Sequence, residues 1–499
     1  MPFVLGIDLG TSSTKTVLLD DNGQVVAQAS APYPLLTPQP NWVEQHPADW
    51  WRAVCETTRQ VLERSNVPTF QRSNIAAVAL SGQMNGAVFV DAQGRPLRPA
   101  LLWLDGRSAK ECDEAQEKAG DLLRHLALHR LNPVNTLAKV LWVKKREPDV
   151  YAASHKVLIP KDWVRFKLTG QFASDVSDAS VSAAFDLDKR EWAWAILDAL
   201  DVRHDLFPPA FESTAVVGYV TPQAAEETGL PVGTPVCAGG GDMACMAVGG
   251  GVIAPGVVSI TIGTAGHATT FAEGVSDAAF NQLWPMCHAV PGGYFWLGCT
   301  YTGGASLTWF KESVLHADDF DTLTTEAANV PPGAEGLFFL PWLAGSATPH
   351  PDANARGGFI GLTLRHTRAH LVRALMEGVV YDLRHCIECF KRLNLPVNEI
   401  RIGEGGSKSP LWRQMQADIF GQPVRRMETE DASAIGAALI AGVGVGVWRD
   451  FVEACGRAVR LGEVVAPISD NMRAYERGYR LYSRFYYDLQ ATFAEMARG

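Results

Sequence analysis

The sequence predicts an α/β protein of two domains with mixed sheets, set on either side of a cleft. Three observations carry this. The layout of strand, Gly-Thr turn and strand occurs twice, at residues 3–19 and again at 257–271. After each occurrence, short β-branched strands alternate with helical patterns, the signature of layered α/β folds. The 499 residues suffice for two or three domains, and no low-complexity linker separates them.

The elements follow in order. Residues 3–7 form an apolar strand, and residues 14–19 a second one that ends in Asp20-Asp21-Asn22-Gly23, a strong hairpin turn signal. Residues 25–30 complete a three-strand meander. A strand is expected at 75–80 and a helix at 109–118. Residues 235–238 read as a short apolar strand, followed by the glycine run Gly239-Gly240-Gly241, Asp242, and a helix of small residues at 244–248. The domain boundary is placed near Ala254-Pro255-Gly256, giving domains 1–253 and 254–499 in firm contact through a hinge. In the second domain, strands are expected at 257–262, 267–271 and 399–402, and helices at 370–392, 411–420 and 472–497.

Composition narrows the function. A net charge of −10, with 20% charged residues, argues against nucleic acid or an anionic membrane surface as the main partner. No apolar run has the length of a membrane span, and the N-terminus lacks the basic region of a signal peptide. Nine scattered cysteines fit reduced thiols in the cytoplasm. Cys386-Ile387-Glu388-Cys389 has C-x-x-C spacing but no second pair, so it reads as a helix face.

Three glycine-rich turns carry the chemistry. Asp8-Leu9-Gly10-Thr11-Ser12-Ser13-Thr14-Lys15 puts a carboxylate, a glycine, four hydroxyls and a cation in one tight turn. Backbone N–H groups and hydroxyls there form an anion cradle, and Asp8 is suited to hold Mg²⁺ through water. Gly263-Thr264-Ala265-Gly266 supplies a second cradle. Gly403-Glu404-Gly405-Gly406-Ser407 lets a flat base or ribose lie on bare backbone. None of these turns is a P-loop. Asp242 ends the glycine run at a strand-to-helix turn, where it faces a substrate or simply caps the helix.

These residues resemble the FGGY carbohydrate kinase family, whose members have two actin-like ATPase (ribonuclease H-like) domains flanking a central cleft. The likeness runs nearly end to end. Gly6-Ile7-Asp8-Leu9-Gly10-Thr11-Ser12 matches the family's phosphate loop. Ser81-Gly82-Gln83-Met84-Asn85-Gly86 falls where members acting on xylulose carry G-Q-M-H-G, and Trp103-Leu104-Asp105-Gly106-Arg107 resembles their W-x-D-x-R. Pro160-Lys161-Asp162-Trp163 and the 173–179 segment are similar to further family segments. Gly357 to Leu362 with His370, Leu371 and Glu377 follows one family signature; a second, around Lys139 and Trp142, is met in part.

The resemblance implies an ATP-dependent kinase that phosphorylates the terminal hydroxyl of D-xylulose. Asp242 is the implied base, and Asp8 the implied holder of Mg²⁺. Gly10, Thr11, Ser12, Ser13, Lys15, Gly263, Thr264, Gly304, Gly405 and Gly406 are the implied contacts of ATP. Met84, Asn85, Asp105 and Asp242 are the implied contacts of the sugar. Other readings stand beside these. Asp105 caps a turn or pairs with Arg107, Lys15 is a solvated strand residue, and Met84 is core packing beside the pocket. Trp103, Trp163 and Trp342 are read as core. Two positions depart from the xylulose pattern, Asn85 in place of His and Met243 in place of Asn after the base, so another ketose or a pentitol is the alternative substrate. A non-enzymatic actin-like ATP switch is the remote one. A homodimer is the family habit.

Overall fold

The computed structural model describes residues 1–64 and 71–498. Two seven-stranded sheets organise the chain. In the first, Phe3–Leu9 is central. It pairs antiparallel with Ser13–Asp20, which pairs with Val25–Pro32, and parallel on its other side with Ile75–Gly82. Pro235–Cys237 and Val216–Tyr219 extend that edge, and Gly240–Gly241 pairs with the end of Ile75–Gly82. The second sheet repeats this plan. Gly256–Ile262 pairs antiparallel with Gly266–Ala272, which pairs with Tyr294–Thr300, and parallel with Val397–Gly403. Trp284–Cys287 closes one edge; Val424–Met427 and Leu461–Val465 close the other.

The predicted strands are present and run slightly longer than expected, except that 235–238 shortens to Pro235–Cys237; the helices also lengthen, to Ala109–Leu122, Asp242–Gly249, Arg368–Arg392, Pro410–Phe420 and Ser469–Met496. The 20–23 turn forms as the sequence predicts, with Asp20 Oδ1 accepting from the backbone N–H of Asn22 and Gln24. Cys386 and Cys389 lie inside the helix Arg368–Arg392, and all nine cysteines are free and buried. No helix among the described residues is long and apolar enough to cross a membrane.

The central strand shows why both faces of the first sheet are covered. Side chains alternate across a strand. Phe3, Leu5, Ile7 and Leu9 join a core with Trp50 and Val54 of the helix Pro47–Arg64. Val4 faces the other way, into a core with Ala434, Ala438 and Ile440. Those residues belong to the helix Ala432–Gly444, which comes from the second half of the chain. The approach is backbone to backbone. A Cβ at Gly6 would overlap the Ala434 carbonyl oxygen, and one at Gly436 would overlap the Cys245 carbonyl. This helix therefore packs on the first sheet, and the next, Phe451–Ala458, joins the same core, although both lie in sequence between the last two strands of the second sheet.

Candidate active site

The expected site residues fall into two groups, one on the ends of each sheet. The first is built on neighbouring strand ends. Asp8 lies opposite Lys15 on one side and Ser81 on the other, and Ser81 lies opposite Gly240. The register of three strands therefore gathers Asp8, Lys15 and the run leading to Asp242. Ser81 Oγ donates to Asp8 Oδ1 at 2.7 Å. Burial raises the Asp8 carboxyl above its ordinary value, against the Ser81 hydrogen bond and the Lys15 charge, with Asp431 adding to the rise. Burial also pushes Asp242 up to about 7; the nearby Asp8 charge adds to this, and the Met243 N–H, donating at 2.8 Å, opposes it. A carboxylate with its pKa near neutrality is matched to general base work.

Around this pair the turn is tied down from several sides. The Tyr33 hydroxyl donates to the Gly10 carbonyl at 2.5 Å, and Gln45 Nε2 donates to the Thr11 carbonyl at 2.7 Å. Lys15 forms an ion pair with Asp431, which sits in a left-handed conformation at the start of the helix Ala432–Gly444. Lys15 is thus neither purely solvated nor a free phosphate ligand, and Asp431 was not marked by any sequence motif; its only sequence signal is an acidic residue before a small-residue helix. Met84 packs against the glycine run, where a Cβ at Gly241 would come within 2.6 Å of its methyl group. Asn85 has φ 64° and a buried Oδ1 without a hydrogen-bond partner, and the same holds for Gln83 Oε1. Buried polar atoms of this kind are the ones a ligand hydroxyl satisfies.

Two expectations are corrected. Asp105 is buried and fully engaged. Its Oδ2 accepts from the Val43 N–H at 2.7 Å, and both oxygens bond Arg107, whose guanidinium stacks over Trp42. The carboxylate is spent on ordering the 103–107 turn, the pairing that Arg107 two residues on already offered in the sequence. Trp103, read as core, is 38% exposed, and its indole N–H donates to the Thr11 hydroxyl at 3.1 Å. It sits on the first turn. Trp163 and Trp342 are core as expected.

The second group is made of backbone. Gly263 N–H donates to the Ala265 carbonyl, closing the turn at 3.0 Å. Gly304 N–H donates to the Gly263 carbonyl at 2.7 Å and Ala305 N–H to the Thr264 carbonyl at 3.1 Å, so the helix Gly304–Trp309 starts on the turn itself. The third turn lies beside it. Glu404 has φ 58° and ψ −153°, a region that ordinarily admits only glycine, and a Cβ at Gly263 would collide with its carboxylate. Gly405 and Gly406 follow, close to Ile262.

Paired sheets of this topology, with a buried carboxylate at the end of a glycine run on one and Gly-rich turns on both, fit a phosphotransferase with an alcohol group as acceptor, on the actin-like ATPase fold. Residues 3–249 match the FGGY family of carbohydrate kinases, N-terminal domain, and residues 259–445 match its C-terminal domain. The chain belongs to that family. It is 36% identical over 486 residues to the xylulose kinase of Bacillus subtilis (strain 168), spanning 97% of each protein. It is 29% identical over 457 residues to the gluconokinase of the same organism, spanning 88% of this chain and 86% of that one. The crystal structure of xylulose kinase from Rhodospirillum rubrum superposes with a TM-score of 0.92 at 30% identity, over 99% of this chain and 100% of that one.

Proposed function

We propose that the protein transfers the γ-phosphoryl group of ATP to the terminal hydroxyl of D-xylulose, giving D-xylulose 5-phosphate and ADP. The observation that carries this is Asp242, a carboxyl raised to about 7 at the end of a glycine run and beside the first phosphate turn, in a chain whose full-length relatives include xylulose kinases. Asp242 accepts the proton of the sugar hydroxyl as that oxygen forms its bond to the γ-phosphorus, and the bond to the bridging oxygen of ADP breaks. Gly10, Thr11, Ser12 and Ser13 present N–H groups and hydroxyls to the phosphates from one side. Gly263, Thr264 and Gly304 do so from the other, and Gly405 and Gly406 carry the nucleoside. Asp8 fits hydrated Mg²⁺, a hard cation that prefers oxygen ligands and keeps its waters. Its buried carboxylate has one hydroxyl donor and Lys15 for compensation, and a cation relieves the rest. When bound, Mg²⁺ neutralises charge on the transferring phosphate.

Two bodies close on the ligands, one built on the first sheet together with the helices Ala432–Gly444 and Phe451–Ala458, the other on the second sheet. The boundary near residue 254 therefore holds only if these two helices are counted with residues 1–253. Closure brings the charged turn and the backbone turn to one phosphate chain. The buried free thiols suit the reducing cytoplasm. Homodimer formation rests on the family resemblance.

Asn85 and Met243 favour a second reading, in which another ketose or a pentitol is the better substrate. An ADP-release assay over a panel of ketoses, pentitols and gluconate decides it. With D-xylulose preferred, Asn85→His with Met243→Asn improves xylulose turnover about tenfold, the scale of one hydrogen bond. A wild type that prefers another acceptor by 100-fold in kcat/KM, and loses that preference in the double variant, refutes the first reading.

A further inference from the structure

Beneath the glycine run lies a cluster of charged side chains with almost no access to water. Lys161, in the helix Pro160–Thr169, forms ion pairs with Asp162 at 2.6 Å, with Asp178 at 2.9 Å and with Asp175. Arg165 pairs with Asp162 at 2.9 Å. All five side chains are 0–1% exposed. The three carboxylates have the spacing of a cation site, but the Lys161 ammonium already lies among them. Burying ions is costly, and replacing such clusters with apolar residues is often neutral or stabilising. Stability is therefore a weak reason for this one.

The cluster reaches the run at both ends. Arg165 donates to the Ala238 carbonyl, immediately before the first glycine. At the far end the link is Ser177. Its hydroxyl donates to Asp175 Oδ1 at 2.5 Å, and its oxygen accepts from the Gly241 N–H at 3.0 Å. Gly241 directly precedes Asp242. The donation to Asp175 orients the hydroxyl so that its lone pairs point to the backbone. Asp175 is held in turn by Lys161 and by the N–H groups of Ser177 and Asp178. Three consecutive glycines have no side chains of their own to lock them, and Gly239 holds φ 75°.

We propose that Ser177 is a positioning residue for Asp242: held by the Asp175–Lys161 pair, it anchors Gly241 while Arg165 anchors Ala238, and together they set the direction of the base. This rests on Asp242 serving as the base, so Asp242→Asn is measured in parallel. Ser177→Ala removes the oxygen and little else. Its expected effect is a loss of about 10- to 100-fold in kcat, the scale of a displacement near 1 Å at a reacting group. KM for ATP and for the sugar stays within about threefold, because the phosphate turns are untouched. Hydrogen exchange at residues 239–242 quickens while the strand Phe3–Leu9 stays protected. Ser177→Thr keeps the oxygen and restores kcat to within about threefold of wild type. A kcat for Ser177→Ala near wild type, with Asp242→Asn inactive, overturns the anchor and leaves the base standing. A Thr variant as slow as the Ala variant also overturns it, since the oxygen is then not what matters. An Asp242→Asn enzyme of near wild-type rate removes the base assignment itself.

Discussion

The two Gly-Thr turns share a local plan and differ in what they contribute. The first, after Phe3–Leu9, is crowded with charge and side-chain bonds: Asp8 on Ser81, Lys15 on Asp431, Gln45 on Thr11. The second, after Gly256–Ile262, is held by backbone alone, with Gly304 and Ala305 donating to its carbonyls. In the proposed reading one scaffold serves two purposes: the ionic turn acts where charge develops during transfer, and the bare turn only holds the nucleotide. Substitutions on the charged side should therefore act on kcat, and those on the bare side on KM for ATP.

The largest test of that division is Asp242→Asn, expected to lower kcat by 10²–10⁴-fold, about 3–5 kcal/mol of barrier. Its pH signature is twofold. In the wild type, kcat/KM rises with pH and levels off above about 7, as the carboxyl ionises; the residual rate of the variant lacks this step. Stability runs the other way. The folded carboxyl, at about 7, lies above the roughly 3.9 of an unfolded Asp, so the folded state holds a proton that the unfolded state has lost. The contribution is complete below pH ~4 and fades as pH rises through about 7. Thermal melts from pH 5 to 8 should show wild type losing stability relative to Asp242→Asn; parallel curves would contradict the raised carboxyl.

Next is Asp8→Asn, expected to cost on the order of 100-fold in kcat. The Mg²⁺ concentration for half-activation should rise about tenfold, the usual effect of losing an outer partner of a metal. An unchanged Mg²⁺ curve would remove Asp8 from that role. On the bare side, the added methyl of Gly263→Ala meets Glu404. Overpacking of this kind costs 1–3 kcal/mol, and tenfold in KM for ATP is expected with kcat nearly unchanged. Glu404→Gly in the same chain should recover much of that loss. A fall in kcat instead would blur the division between the turns. The smallest effect is in shape: small-angle scattering should give a lower radius of gyration with ATP analogue and sugar bound together than with neither. No change at saturation of both ligands counts against closure.

Much of this was legible in the sequence because it is local. The Asp20-Asp21-Asn22-Gly23 turn, the apolar strands and the glycine run each announce themselves within about eight residues, and the turn chemistry at Gly10 and Gly263 follows from residue type. What was not legible is long-range. The Arg107 pairing of Asp105 was open in the sequence, but the Val43 N–H that completes the hold on its carboxylate comes from sixty-two residues away. Trp103 looked like core because large aromatics usually are, yet it lies against Thr11. The buried cluster left a faint mark, since Lys161, Asp162 and Arg165 stand close together in one short helix and Asp175 and Asp178 in a segment of small residues. Nothing in either stretch says that the two meet, or that Ser177 joins them to Gly241.

The helix Ala432–Gly444 has a consequence in time. The apolar face that Val4, Val17 and Ala79 present is covered by a helix that the ribosome makes late, long after the strands it covers. At 5–20 residues per second, the first sheet waits roughly 10–40 s between the end of Asp242–Gly249 and the arrival of its lid. During that interval the nascent chain carries an exposed strip of small apolar residues. The first half of this enzyme is thus not a module that folds and then acquires a partner. Its core is closed by a late part of the message, and a chain cut before residue 431 has neither a complete first core nor an Asp431 for Lys15.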